Sequence, residues 1–268
     1  LRRALDEGEL EVHYQPKAQF SSGDVVGVEA LVRWRHPERG LLGPEEFVPL
    51  AEETGLMRPL TEYVVEAALA DAARWRADGI NLRMAINISA RDLHGPALAV
   101  FLESALRRHG VPAQCIQLEI TEGSLMRDPA RAAMTLRTLA ALGVSLSLDD
   151  FGTGYSSLAH LRRLPVHEIK IDKSFVARMT VDHDDATIVR SIIDLGAALG
   201  LRVVAEGVEN ARTWDRLGRL GCDDGQGWYL SKAMPAADIT VWLEGTGGNP
   251  RAVSAAAPPV LPRRSRPA

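Results

Sequence analysis

Carboxylates, one amide and one lysine recur with short apolar runs in this chain, in the way residues gather around hard cations and phosphate. Glu29 follows Val25-Val26-Gly27-Val28, Asn87 closes Met84-Ala85-Ile86, and Glu119 sits in Ile116-Gln117-Leu118-Glu119-Ile120. Asp149 and Asp150 end Val144-Ser145-Leu146-Ser147-Leu148, Lys170 lies in Ile169-Lys170-Ile171, and Glu206 closes Val203-Val204-Ala205. A single acid after such a run is ordinarily a loop residue or a helix cap. Asp-Asp before Gly is ordinarily a turn, and one lysine alone is ordinarily an exposed edge residue. Taken together, the runs predict one polar site at one end of a parallel β structure. The donors are all oxygen, which suits Mg²⁺ or Mn²⁺. Two such ions about 3.5–4 Å apart clamp an in-line phosphoryl displacement. Lys170 would orient or help deprotonate the attacking water, or balance phosphate charge.

Asp149-Asp150 is the sharpest local feature. Successive strand residues point to opposite faces, so both acids serve one site only where the strand ends or bulges. Gly152 and Gly154 follow at once and permit that break. Two acids held close shift each other's pKa unless cations sit between them. Gly152-Thr153-Gly154 fails the dinucleotide fingerprint, because Ser157 stands where the third glycine belongs. His13, His36, His94, His109, His160, His167 and His183 form no metal spacing and read as surface or packing residues. Trp34, Trp75, Trp214, Trp228 and Trp242 read as packing anchors, with Trp34 and Trp228 the two that could border a pocket.

The elements that must position these groups alternate along the chain. Strands are expected near 10–15, 25–33, 83–88, 115–120, 144–149, 167–171, 202–206 and 226–230. Helices are expected near 45–54, 59–77, 97–109, 129–141, 157–163, 185–199, 210–219 and 236–244. Pro44 and Pro59 suit first-turn helix positions, and Gly79, Gly110, Gly143, Gly200 and Gly221 each follow a helical run, where a left-handed cap is wanted. The alternation predicts an α/β fold, a TIM-like (β/α)8 barrel. Only Lys17 to Asp24 separates the first two strands, a hairpin rather than a helical crossover, so the first strand runs antiparallel to its neighbour. Residues 1–245 form one domain on this reading. Residues 246–268, rich in Pro, Arg and Ala, form a disordered tail.

Composition bounds the function. Of 268 residues, 46% are hydrophobic and 25% charged, with aromatics only 5%, so a large aliphatic core is expected. A net charge of −4 argues against a polymeric nucleic-acid partner but not against a small nucleotide held by metal ions. Cys115 and Cys222 lie in no zinc or redox spacing and suit a reducing compartment. No apolar run approaches a membrane span and no signal peptide is visible. The chain begins Leu1-Arg2-Arg3, as expected of a domain within a longer protein.

Glu29-Ala30-Leu31 with Val32-Arg33-Trp34 resembles the signature of the EAL-domain phosphodiesterases, which hydrolyse the bacterial messenger cyclic di-GMP. The resemblance runs over about residues 5–244. It includes Tyr14-Gln15-Pro16, Asn87-Ile88-Ser89, Leu118-Glu119-Ile120-Thr121-Glu122 and Asp149-Asp150-Phe151-Gly152-Thr153-Gly154. It continues through Ile169-Lys170-Ile171-Asp172, Ala205-Glu206-Gly207-Val208-Glu209, Gly221-Cys222-Asp223 and Gln226-Gly227. It implies two Mg²⁺ or Mn²⁺ ions held by Glu29, Asn87, Glu119, Asp149, Asp150 and Glu206. Lys170, Glu206 and Asp150 would then be the catalytic groups, with Lys170 binding the nucleophilic water. Glu122 would steady the Asp149-Asp150 loop, and Gln15, Arg33, Glu209 and Gln226 would line the cyclic dinucleotide site.

Departures from the family pattern are Ala233 for a usual Pro, His167 for a frequent Asp, and Asp224-Gly225 before Gln226. The resemblance implies hydrolysis to linear pGpG, a cytoplasmic domain of a longer signalling protein that could be membrane-tethered, and a homodimer through Tyr155 to Leu164. The rival readings are a catalytically silent cyclic di-GMP receptor, and a structural domain of a signalling protein.

Overall fold

Short aliphatic runs buried on both faces form a parallel sheet, and the sheet closes on itself. The structure, a computed structural model, describes residues 1–246 apart from His94, Arg127 and residues 155–160. The barrel strands are β1 (Leu10–Gln19), β2 (Val25–His36), β4 (Arg83–Asn87), β5 (Ile116–Thr121), β6 (Ser145–Phe151), β7 (Glu168–Ile171), β8 (Arg202–Ala205) and β9 (Asp224–Gln226). A short β3 (Gly40–Leu42) extends the edge of β2, and β10 (Met234–Pro235) that of β1. The strands β2, β4, β5, β6, β7, β8 and β9 pair in parallel, and β1 closes the ring antiparallel to both β2 and β9. The (β/α)8 expectation and the antiparallel first strand both hold.

Helices α1 (Arg2–Asp6), α2 (Pro44–Thr54), α3 (Met57–Ala77), α4 (Ala97–His109), α5 (Glu122–Met126), α6 (Pro129–Ala141), α7 (Lys173–Arg178), α8 (His183–Leu199), α9 (Ala211–Arg219) and α10 (Ala236–Thr246) accompany the strands among the described residues. Local chemistry sets their ends. Asp128, Asp172, Asp182 and Asn210 accept backbone N–H bonds at helix starts. Gly110 and Gly200 close α4 and α8 in the left-handed conformation. The aliphatic core fills the space between strands and helices. Tyr14 packs edge-on against Trp75, with its hydroxyl donating to Asp71.

Two expected strands have different limits. The first runs to Gln19 rather than stopping near 15, because Lys17 and Ala18 continue the ladder with β2 and β9. The hairpin is therefore shorter than Lys17 to Asp24. The last ends at Gln226 rather than 230. There Gly227 passes so close to the Val208 backbone that a Cβ would sit 2.2 Å from its oxygen. Val208 N–H donates to Gln226 O, and Tyr229 N–H to Val208 O, folding the chain off the sheet. The expected helix at 157–163 falls largely, and the 246–268 tail almost wholly, outside the described residues. Helices α1, α5 and α7 and strand β3 escaped the sequence reading, being too short for periodicity to show.

The Gly227 contact gives a stability test. Gly227→Ala forces a backbone shift and lowers stability by about 1–3 kcal/mol in urea denaturation. An unchanged midpoint would contradict the close approach.

Candidate active site

The register of the barrel brings the acids to one rim. Asn87 pairs with Glu119, Thr121 with Asp149, and Gln15 with Glu29. Parallel strands all end at the same face, so residues closing different strands converge there. Lys170 lies at the centre, fully buried. Its Nζ is 2.6 Å from Glu206 Oε1, 2.7 Å from Glu119 Oε2, 3.3 Å from Asp149 Oδ1 and 3.5 Å from Glu29 Oε2. Asn87 donates its amide to Glu29 Oε1 at 2.6 Å, which leaves its carbonyl oxygen for a cation. Gln226 donates to Glu29 Oε2 at 2.6 Å and to Gln15 Oε1 at 3.1 Å. Gln226 Oε1 is buried without a hydrogen-bond partner, so it is left for a ligand donor.

A break in β6 turns both adjacent aspartates toward the rim. The β6–β7 register shifts between Leu148 and Phe151, and Asp150 adopts φ of 54°, alone among the described non-glycine residues in being left-handed. Aspartate tolerates that region better than most residues. Asp149 Oδ1 accepts the Asp150 N–H at 2.9 Å. Carboxylate oxygens of Asp149, Asp150 and Glu206 lie within 4.8 Å of one another. Glu122, at the start of α5, accepts the Gly152 N–H at 3.2 Å, tying the following turn to β5.

Electrostatics follow from this crowding. Burial alone would lower the Lys170 pKa, but Asp149, Glu119, Glu206 and Glu29 outweigh it and hold the ammonium well above its usual value. Burial pushes Glu206 up to about 8, with Asp149 and Glu29 adding to the effect against Lys170. Burial and Glu119 also raise Glu29. Asp150 rises to about 6 through burial and its neighbours Asp149 and Asp172. Glu119 goes the other way, to about 2, because Lys17 and Lys170 overcome its burial.

Of the residues expected at the site, Gln15, Glu29, Asn87, Glu119, Asp149, Asp150, Lys170, Glu206 and Gln226 come together. Arg33 and Glu209 stand outside the hydrogen-bonded cluster. Arg33, four residues beyond Glu29, donates to Val32 O at 2.9 Å in the field of Glu45 and Glu29, and Glu209 is exposed on the loop after β8. Sequence reasoning missed Lys17, buried and 3.0 Å from Glu119 Oε1. It also gave no role to Asp172, which both caps α7 and faces Asp150. A cavity of about 520 Å³ opens beside the cluster, lined by Asn87, Asp149 and Asp150 and by apolar residues that include Val48, Met57 and Leu60.

An eight-stranded α/β barrel with an all-oxygen acidic rim around a buried lysine defines the class of protein. The chain belongs to the EAL-domain family, whose model matches residues 1–233. It is 44% identical over 240 residues to the bifunctional diguanylate cyclase/cyclic di-GMP phosphodiesterase MucR of Pseudomonas aeruginosa, covering 89% of this chain and 35% of that protein. It is 41% identical over 244 residues to the cyclic di-GMP phosphodiesterase PdeR of Escherichia coli, covering 91% and 37%. The chain thus spans little more than a third of these relatives. Among solved structures, the PaMucR phosphodiesterase in its c-di-GMP complex superimposes with a TM-score of 0.86 at 44% identity, covering 89% of this chain and 97% of that one. The EAL domain of Mycobacterium smegmatis DcpA gives 0.76 at 37% identity, covering 90% and 99%.

The paired aspartates yield a prediction for the protein held in chelator. Asp150→Asn removes one of two adjacent like charges and keeps a side chain that tolerates the left-handed backbone. It stabilises the metal-free protein by about 1–2 kcal/mol, after allowing for the partial exposure of the site. A lower thermal midpoint than wild type would contradict the crowding.

Proposed function

We propose that this domain hydrolyses cyclic di-GMP to linear pGpG with two Mg²⁺ or Mn²⁺ ions. The observation that carries the reading is Lys170 buried among four carboxylates at the barrel rim. Such an arrangement is costly unless cations complete it, because buried like charges repel and lose hydration. Family membership and relatives named as cyclic di-GMP phosphodiesterases support the substrate.

The residues present fit such ions. Their donors are carboxylate and amide oxygens, and three of them already lie within 4.8 Å of one another. Glu29, Asn87, Glu119, Asp149, Asp150 and Glu206 would hold the pair. Bound ions would lower the pKa of water and neutralise charge on the phosphodiester. Lys170, kept as an ammonium, holds the attacking water in line and donates to it as it becomes hydroxide-like. Its raised pKa favours that role over service as a base. Arg33 has the planar donor fork that suits a phosphate oxygen, while Gln15, Gln226 and Glu209 orient the dinucleotide. The apolar lining of the cavity accepts a base and excludes water from it. Glu122 holds the turn that follows Asp149-Asp150. The water oxygen bonds to phosphorus as the bond to the 3′ oxygen breaks, the water's proton ends on that oxygen as a 3′ hydroxyl, and the ring opens.

Turnover is tested by separating nucleotides after incubation of the purified domain with cyclic di-GMP. Linear pGpG forms with Mg²⁺ or Mn²⁺ and not with EDTA. Lys170→Ala and Glu29→Gln lower kcat by about 10²–10³-fold while the proteins stay folded. Tight binding of intact cyclic di-GMP, with no product in either metal, would contradict hydrolysis and leave a receptor domain.

A further inference from the structure

Beneath the acidic rim lies a second charged layer that the reaction does not obviously need. Lys17 enters it from the antiparallel strand β1, two pairs below the Gln15–Glu29 rung, where it stands opposite Gly27 and Gln226. It is only 3% exposed. Its Nζ lies 3.0 Å from Glu119 Oε1 and 3.9 Å from Glu168 Oε1. Glu168, two residues before Lys170, is fixed in turn by the Gln117 amide and by Ser147 Oγ at 2.9 Å. A buried ion pair of this kind usually stabilises a fold no better than well-packed apolar residues would. Packing alone therefore gives no reason for a lysine here.

The two oxygens of Glu119 are divided between two lysines. Lys170 holds Oε2 at 2.7 Å and has Glu206, Asp149 and Glu29 as further partners. It can give up Oε2 to an arriving cation and remain paired. Among the described residues Lys17 has only the more distant Glu168 as a second ion-pair partner, so it keeps Oε1. We infer that Lys17 is a positioning residue for the cation site: it holds Glu119 Oε1 from below, so that Glu119 offers an ion Oε2 alone, and Glu168 supplies its counter-charge. This rests on the proposal that cations bind at the rim. Groups that orient a ligand from behind typically change metal affinity by about 10–100-fold when removed.

The experiment is a Mn²⁺ titration of the metal-free domain, with free Mn²⁺ read by its electron paramagnetic resonance signal. The main variant is Lys17→Met/Glu168→Gln, which removes the pair without leaving an unpaired charge. Lys17→Gln is a second variant that keeps a shorter donor, and Glu168→Gln alone leaves Lys17 on Glu119. The expected result is Mn²⁺ binding about 10–100-fold weaker in the double variant. It is intermediate in Lys17→Gln and within about threefold of wild type in Glu168→Gln, with kcat falling alongside in the first two. A merely structural ion pair would shift the thermal midpoint and leave Mn²⁺ affinity alone. Either Lys17 variant, folded and binding Mn²⁺ within twofold of wild type, would overturn the inference. Glu168→Gln weakening binding as much as the double variant would do the same. A wild-type domain that takes up no Mn²⁺ would instead remove the proposal beneath it.

Discussion

Negative charge crowded around one ammonium is the constraint on which the rest depends. Glu29, Glu119, Asp149, Asp150 and Glu206 are five acids facing the single Lys170. Fully ionised, they carry an excess of four negative charges, which is the charge that two divalent cations bring. Without cations, burial and mutual repulsion push the pKa values of Glu29, Asp150 and Glu206 upward. Glu119 goes the other way, held below the usual carboxylate range because lysines approach each of its two oxygens.

The barrel supplies the rigidity that such crowding demands. Parallel strands place each acid at a fixed height on a shared rim, and hydrogen bonds across the ladder resist the repulsion. Where the ladder cannot aim two neighbours the same way, the backbone deforms. The break in β6 and the left-handed Asp150 are local costs of the kind that gather at functional sites. Glu122 then holds the turn that follows, and Asp172, which caps α7, stands beside Asp150. The antiparallel β1 contributes from the opposite direction, sending Gln15 to the rim and Lys17 to the layer below it.

Much of this was legible in the sequence, for definite reasons. Apolar runs buried on both faces announce parallel strands, and acids closing several of them announce a common rim. The short link after β1 foretold its direction, since no helix fits there. The glycines at 79, 110, 143, 200 and 221 all prove left-handed, as their places after helices implied. Lys17 was hidden because lysine is ordinarily exposed and the preceding Pro16 breaks the apolar pattern. The early end of β9 was hidden because it depends on Gly227 meeting Val208, a contact between segments distant in the chain. Arg33 and Glu209 carry chemistry that the sequence suggests, yet no hydrogen bond in the cluster fixes them. The expected dimer segment falls largely on residues 155–160, outside those described.

The most direct test of the central claim is anomalous scattering at the manganese edge from crystals of the domain soaked in MnCl₂. Two peaks among Glu29, Asn87, Glu119, Asp149, Asp150 and Glu206, with Lys170 beside them, are the predicted result. An empty rim, or manganese bound only elsewhere on the chain, would contradict it.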